Sequence, residues 1–451
     1  MKLSNYFIRF LPLITSVLMS CSSCSSSDDN IEPLIDNVDN SENISITNDI
    51  IIYQVNPKLF AKGQSLQLID QRLSEIKKLG ANVLYLMPTY PEGKINSVGS
   101  PYCISNYTAV NANYGTIADM QQLVADAHKN GMRIILDWVA NHTSWDNQWI
   151  EQHPEWYTHD TNGNIISPAG MGWNDVADLN FDNQEMRTAM RNAMLYWVNE
   201  IGVDGFRCDY ADGVPTDFWR DAISYLRSQT NADLLMLAES NDVSMFNCGF
   251  DIVYGWNSTA KLQELYAGKA TISDYYATCQ AENANGNYAR FITNHDQASE
   301  KCPLNYYNGK AGALSAFVLN TMMGGYPFIY SSQEVGYNQQ LSFFNQWSFD
   351  FDADTDYTAE YQRYMQAFVA TADLRTGNFK TYSTGNIASF YYQTSDEHGL
   401  LIMINTTANE LQIKTPMEQA GKTFTNVLTN EEQTLSAATT LAAYQYLIFR
   451  K

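Results

Sequence analysis

Three carboxylates close short apolar runs in this chain. Asp209 ends Val203-Asp-Gly-Phe-Arg-Cys-Asp209, Glu239 ends Leu235-Met-Leu-Ala-Glu239, and Asp296 ends Phe291-Ile-Thr-Asn-His-Asp296. Arg207 and Asp209 lie two apart, so on a strand they point to the same side. A guanidinium beside a carboxylate favours its ionised form. An ionised Asp at the carboxyl end of a strand is a candidate nucleophile or charge stabiliser. That stretch alone fits a structural Arg–Asp pair equally well. The three acids together narrow the choice. Carboxylates that converge on one mouth repel each other and raise at least one pKa. Cleavage of a glycosidic bond with retention uses such a set: an ionised nucleophile and a protonated acid roughly 5 Å apart. His142 and His295, also at strand ends, strengthen the catalytic reading over the structural one.

The elements that must carry these residues follow a regular period. Ile50 to Val55 is apolar and strand-like. Leu66, Ile69, Leu73 and Ile76 then recur at helical spacing, and Gly80 closes the helix. Val83 to Met87 is the second strand. Thr116 with Asp119 forms a capping-box start for a helix ending at Gly131, and Ile134 to Leu136 is a third strand stopping at Asp137. Asp182 with Glu185 opens the next helix, which ends at Gly202 before the strand of Arg207 and Asp209. Leu234 to Ala238, Phe250 to Val253, Arg290 to Thr293 and Pro327 to Tyr330 supply strands five to eight. Repeated helix, glycine, apolar strand and polar residue is the period of a parallel α/β fold. Eight units over roughly 330 residues favour a closed (β/α)8 barrel, whose active face is at the carboxyl ends of the strands. Cys208, between Arg207 and Asp209, is expected to face the helix layer as a small hydrophobe.

Two segments depart from the period. Residues 141–181 are too long for a plain connection and hold Trp145, Trp149, Trp156, Tyr157 and Trp173, which reads as a short excursion domain beside the active face. After Gly377 helical spacing stops, and residues 378–451 read as an antiparallel β-sandwich domain. The net charge of -22 argues against nucleic acid and anionic membrane surfaces as ligands and is compatible with a neutral sugar. Beyond Cys21 and Cys24 the cysteines are odd in number and widely spaced, with neither a disulfide framework nor a zinc pattern. Nothing points to an organic cofactor.

From about residue 48 onward the chain resembles the α-amylase family, glycoside hydrolase family 13. The resemblance rests on Asp137-Trp-Val-Ala-Asn-His142, Gly205-Phe-Arg-Cys-Asp209, the strand ending in Glu239, and Asn294-His-Asp296. It is supported by Ser100-Pro-Tyr102, Val110-Asn-Ala-Asn-Tyr-Gly-Thr116, Ala177-Asp-Leu179 and Gly325-Tyr-Pro-Phe-Ile-Tyr-Ser-Ser-Gln-Glu334. It implies Asp209 as nucleophile, Glu239 as general acid/base and Asp296 as the stabiliser that grips sugar hydroxyls. Arg207 would hold Asp209 ionised, His142 and His295 would bond the sugar, and Tyr102 would be an aromatic platform beneath it. The implied substrate is an α-1,4-glucan of the starch type. Relatives that cleave cyclodextrin or pullulan, act on α-1,6 bonds or transfer glucosyl groups stay open, as does a glycan-binding protein on an inactive barrel. Asn141 and Asp178 match ligands of a structural calcium site. Where many amylases carry a Lys-His pair after the nucleophile, this chain has Asp212 and Gly213, and the Asp-rich metal loop of some relatives is absent at Lys62-Gly-Gln-Ser-Leu66.

Residues 1–20 read as a signal peptide: Lys2 and Arg9 precede an apolar run from Phe10 to Met19 that is too short to span a bilayer. Leu18-Met-Ser-Cys21 resembles a bacterial lipobox, with Cys21 lipidated. The Ser-rich then acidic stretch through Asp28 and Asp29 resembles the export signal of Bacteroidetes surface lipoproteins. The expected organisation is therefore a signal peptide (1–20), a lipidated tether (21–47), a catalytic barrel (48–377) and a β domain (378–451). The expected location is the outer membrane, facing out, with membrane contact only through the lipid and other surface glycan-uptake proteins as candidate partners.

Overall fold

The computed structural model describes residues 50–230 and 232–451. The signal peptide, the tether and Cys21 lie outside them. Eight parallel strands close into a barrel: β1 (Ile52–Val55), β2 (Val83–Leu86), β3 (Arg133–Val139), β4 (Gly205–Asp209), β5 (Leu235–Ala238), β6 (Ile252–Tyr254), β7 (Tyr288–Arg290) and β8 (Tyr326–Tyr330). They pair in chain order, and β8 pairs with β1 through Ile52 opposite Phe328. Alternation along each strand sorts the side chains into two cores. Ile52, Tyr85, Ile135, Leu237, Tyr254 and Phe328 fill the barrel. Leu84, Ile134, Phe206, Cys208 and Met236 face outward to a layer that includes the helical residues Leu123, Met190 and Trp219. Cys208 thus lies with the helices, as its parity requires. Gly205 sits at φ +145°, and a Cβ there would fall 2.0 Å from the Leu235 carbonyl oxygen, so only glycine lets β4 lie this close to β5.

Several boundaries differ from expectation. The first helix breaks at Arg72 into Ser65–Gln71 and Leu73–Lys78. β3 runs on to Val139, so Asp137 lies inside a strand rather than at its end. The cap of the helix Gln184–Tyr196 is Asn183, not Asp182: its side chain accepts the N–H groups of Glu185 and Met186. The capping box at Thr116 and Asp119 forms as expected. β7 ends at Arg290, three residues early. Beyond it the Phe291 carbonyl accepts from Thr259 Oγ1 and Asn320 Nδ2, and the Ile292 carbonyl from the Tyr307 hydroxyl. These side chains take the acceptors that a neighbouring strand would otherwise use.

Between β3 and its helix, the strands His142–Ser144 and Val176–Asp178 pair antiparallel and close a small excursion around Trp149 and Trp156. The carboxyl-terminal region holds a six-stranded antiparallel sheet. Phe390, Tyr392, Leu400 and Ile402 belong to the core shared with the barrel helices, and the Tyr392 hydroxyl donates to the Met322 carbonyl. Tyr391, Leu401, Met403 and Phe449 pack instead with Ile413 and Leu441 of a separate two-stranded ladder, Leu411–Lys414 with Ala438–Leu441. This is a sandwich with a narrow second layer.

Candidate active site

The site is organised around one cation. Arg207, on β4 and 0% exposed, places Nη1 2.6 Å from Asp137 Oδ1 and 2.8 Å from Asp209 Oδ1, and Nη2 3.1 Å from Glu239 Oε2. Asp137 comes from β3, Asp209 ends β4, and Glu239 follows β5 directly, so three adjacent strands bring three acids to one guanidinium. Burial alone would lower the pKa of Arg207. The field of Asp137, with Tyr85, Tyr254 and Glu239, outweighs it and keeps the group charged. Tyr85 and Tyr254 lie 5.8 and 5.4 Å from the guanidinium carbon across their rings.

Glu239 is held by more than Arg207. The Tyr210 N–H donates to its Oε2 at 2.8 Å, its own N–H donates to the Cys208 carbonyl, and its carbonyl accepts from Ala211 N–H. The turn that makes this possible is unusual. Tyr210 stands at φ +38°, in the left-handed region, and its ring lies over Gly213, where a Cβ would meet Tyr210 Cε1 at 2.0 Å. Gly213 therefore makes room for the Tyr210 ring, which meets Trp173 edge-on at 6.0 Å. Trp173 in turn lies 5.7 Å from His142. Asp212 accepts a hydrogen bond from the Ser240 hydroxyl. The Asp-Gly pair at 212–213 thus belongs to a turn shaped around an aromatic wall.

Asp296 arrives differently from expectation. It lies in the first turn of a short helix, His295–Glu300, because β7 stops early and Asn294 caps the helix, accepting from Asp296 N–H and Gln297 N–H at 3.1 Å each. Burial, then the charge of Glu239, raises its pKa well above the ordinary carboxylate value, with Arg207 opposing. Burial also raises Asp137, again against Arg207. The upward shift expected for a mouth crowded with acids thus falls on Asp296, whereas Asp137 rises through burial.

Both histidines are neutral here. Burial holds His142 and His295 well below the usual imidazole value, and Arg207 adds to the effect at His295. Gln54 Nε2 lies 2.8 Å from His295 Nδ1, and Tyr102 Oη lies 2.7 Å from Nε2. With the Gln54 amide donating, the ring proton sits on Nε2 and donates to Tyr102, whose hydroxyl donates to Asp137 Oδ2 at 2.9 Å. The Tyr85 hydroxyl donates to the same oxygen at 2.6 Å. Tyr102 is 0% exposed and its ring stacks on His295, so within this chain it relays between His295 and Asp137.

Asp209, Glu239, Asp296, Arg207, His295 and Tyr102 are thus linked in one network. His142 joins it from the excursion through Trp173. Asn141 and Asp178 flank His142 at the base of the excursion: Asn141 Nδ2 lies 3.3 Å from His142 Nδ1, and His142 pairs with Asp178 in register. Four participants went unassigned in the sequence: Asp137, Tyr85, Gln54 and Tyr210. The signal for Asp137 was its place in the first motif. The others offered none, since each is an ordinary strand or turn residue until its partners arrive.

Residues 39–166 and 170–245 match the family model described as alpha amylase, catalytic domain. The matched residues carry the barrel from β1 through β5. Among its relatives, the α-amylase 3 of Dictyoglomus thermophilum is 27% identical over 329 residues, covering 63% of this chain and 64% of that protein. The α-amylase MalA of Haloarcula japonica is 26% identical over 64% of this chain and 44% of its own length. The chain spans less than two thirds of the length of these curated relatives. An α-amylase crystal structure from Lactobacillus plantarum superposes with a TM-score of 0.80 at 28% identity, covering 89% of this chain and 98% of that one.

Proposed function

We propose that the chain is a retaining glycoside hydrolase that cleaves α-1,4-glucosidic bonds of starch-type glucans and maltooligosaccharides. The observation that carries this is the shared guanidinium: Arg207 reaches both Asp209 and Glu239, while Tyr210 N–H fixes the same Glu239 oxygen. One carboxylate is thereby aimed as nucleophile and the other as proton donor at a barrel mouth. Asp209 attacks the anomeric carbon as Glu239 protonates the departing oxygen, and a covalent glycosyl-enzyme results. Glu239, now a carboxylate, takes a proton from water that attacks the same face, and the α configuration is restored. Asp296 forms hydrogen bonds to sugar hydroxyls that strengthen as the ring flattens. Neutral His142 acts as a hydrogen-bond partner to the sugar, and His295, whose ring nitrogens are engaged by Gln54 and Tyr102, stacks with the buried Tyr102 to back the sugar. Incubation with starch, pullulan, cyclodextrin and isomaltose tests the substrate. Maltooligosaccharides from starch are expected; rapid action on isomaltose with none on starch would overturn the α-1,4 reading.

We also propose a structural calcium ion held through Asn141 and Asp178. The donor set suits it: both offer hard oxygens, and burial raises Asp178 to about 6 with only the Thr158 hydrogen bond opposing and no cationic side chain among the causes. Among the described residues no cluster of three His, Cys, Asp or Glu is present, so amide and carbonyl oxygens and water would complete the shell. Such an ion would pin the excursion to the barrel and take no part in bond making. Chelation is expected to lower the melting temperature and calcium to restore it; an unchanged melting temperature would remove the ion from the account.

The location proposed is the outer face of the outer membrane, with Cys21 lipidated and the tether carrying the barrel outward. A multiply acylated cysteine anchors stably where a single chain would not. Cys21→Ala is expected to shift the protein from the membrane fraction to a soluble or uncleaved form, and whole cells should lose protease-accessible enzyme. A wild type found soluble in the periplasm would contradict this.

A further inference from the structure

A hollow of about 530 Å³ opens where the segment after β1, through the end of the helix Ser65–Gln71, meets the loop after β8. Phe60, Trp347, Phe349 and Phe351 line it with aromatic rings, and Gln71 and Gln346 add amides. Phe60 stacks on Phe351 at 4.9 Å, and Phe349 meets Phe351 at 4.6 Å. Trp347 and Phe349 stay half-buried, yet Trp347 is fixed: its indole N–H donates to the Ser342 carbonyl at 2.7 Å and its backbone N–H to the Lys58 carbonyl at 2.9 Å. The charges in the lining cancel, Lys62 and Arg72 against Asp350 and Asp352. Arg72 is already committed, lying 4.7 Å over the Phe351 ring and 3.7 Å from Asp352.

Held aromatic faces, neighbouring amides and no net charge suit a neutral polyhydroxylated ligand, whose C–H faces stack on rings while its hydroxyls take hydrogen bonds. The same loop also reaches the catalytic network. Phe343 packs edge-on against Tyr102 at 5.6 Å and against His295 at 5.1 Å. Four residues later the chain delivers Trp347 to the hollow. We propose that this hollow is a second α-glucan-binding site, engaging glucose units of a polymer beyond those in the catalytic pocket. It rests on the α-glucan reading above.

Trp347→Ala and Phe349→Ala test it. Retardation in gels containing soluble starch is measured in an Asp209→Asn background, so that the polymer is not consumed, and kcat/KM on maltotriose is measured in the otherwise wild-type background. Thermal melts confirm folding, and the exposed Gln71→Ala serves as a third variant if either aromatic replacement fails to fold. Starch affinity is expected to weaken about five- to tenfold, with maltotriose turnover unchanged. Equal retardation of variants and parent would overturn the second site and leave the catalytic assignment standing, as would maltotriose turnover falling in step with starch affinity. A wild type that neither cleaves starch nor is retarded by it would remove the α-glucan reading itself.

Discussion

Asp209→Asn is expected to lower kcat by on the order of 10⁴-fold or more on any substrate the enzyme accepts. The amide keeps the shape of the side chain, and its oxygen can still accept from Arg207 Nη1, 2.8 Å away in the native site. What disappears is the negative charge that forms the bond to the anomeric carbon. KM should change little, because the contacts that hold the sugar come from Asp296, His142 and the aromatic groups. Initial rates on a maltooligosaccharide across a substrate range separate the two parameters, and near-normal turnover in the variant would exclude Asp209 as nucleophile.

The second large effect is expected at Arg207. Replacement by Ala leaves Asp137, Asp209 and Glu239 around a fully buried void, and the loss of one partner from a buried ionic cluster costs about 3–5 kcal/mol. Arg207→Lys retains a charge, but one ammonium cannot replace a planar fork whose Nη1 serves Asp137 and Asp209 while Nη2 faces Glu239. Lys should therefore recover part of the stability and little of the activity. Urea midpoints with initial rates read both quantities. Full activity in Arg207→Lys would mean that the fork does not position the two catalytic acids.

Those acids differ in how visible they were. Asp209 and Glu239 were legible because each ends an apolar strand whose period is unambiguous, and the strands fold where the period puts them. Asp296 was legible as a residue but not as a conformation. It lies in a helix because Thr259, Asn320 and Tyr307 capture the Phe291 and Ile292 carbonyls, and such long-range side-chain capture leaves no mark in local spacing. Asp137 looked like a strand terminus, yet it is the hub that receives Tyr85, Tyr102 and Arg207 from three separate segments. The substitution at Asp212 and Gly213 read as a departure from relatives. Its physical content, a glycine beneath the Tyr210 ring, required the fold. The helix caps divide the same way. Thr116 with Asp119 is a local reciprocal motif, whereas the choice between Asp182 and Asn183 depends on one residue of backbone phase.

Double displacement by Asp209 and Glu239 on one face of an α-glucoside leaves a stereochemical signature in the product. Proton NMR of the anomeric region, recorded on a maltooligosaccharide before mutarotation, tests it most directly. The α-anomer is expected to appear first and then drift toward equilibrium. A β-anomer as first product would require water to attack the opposite face, and would contradict the assignment of Asp209 as nucleophile.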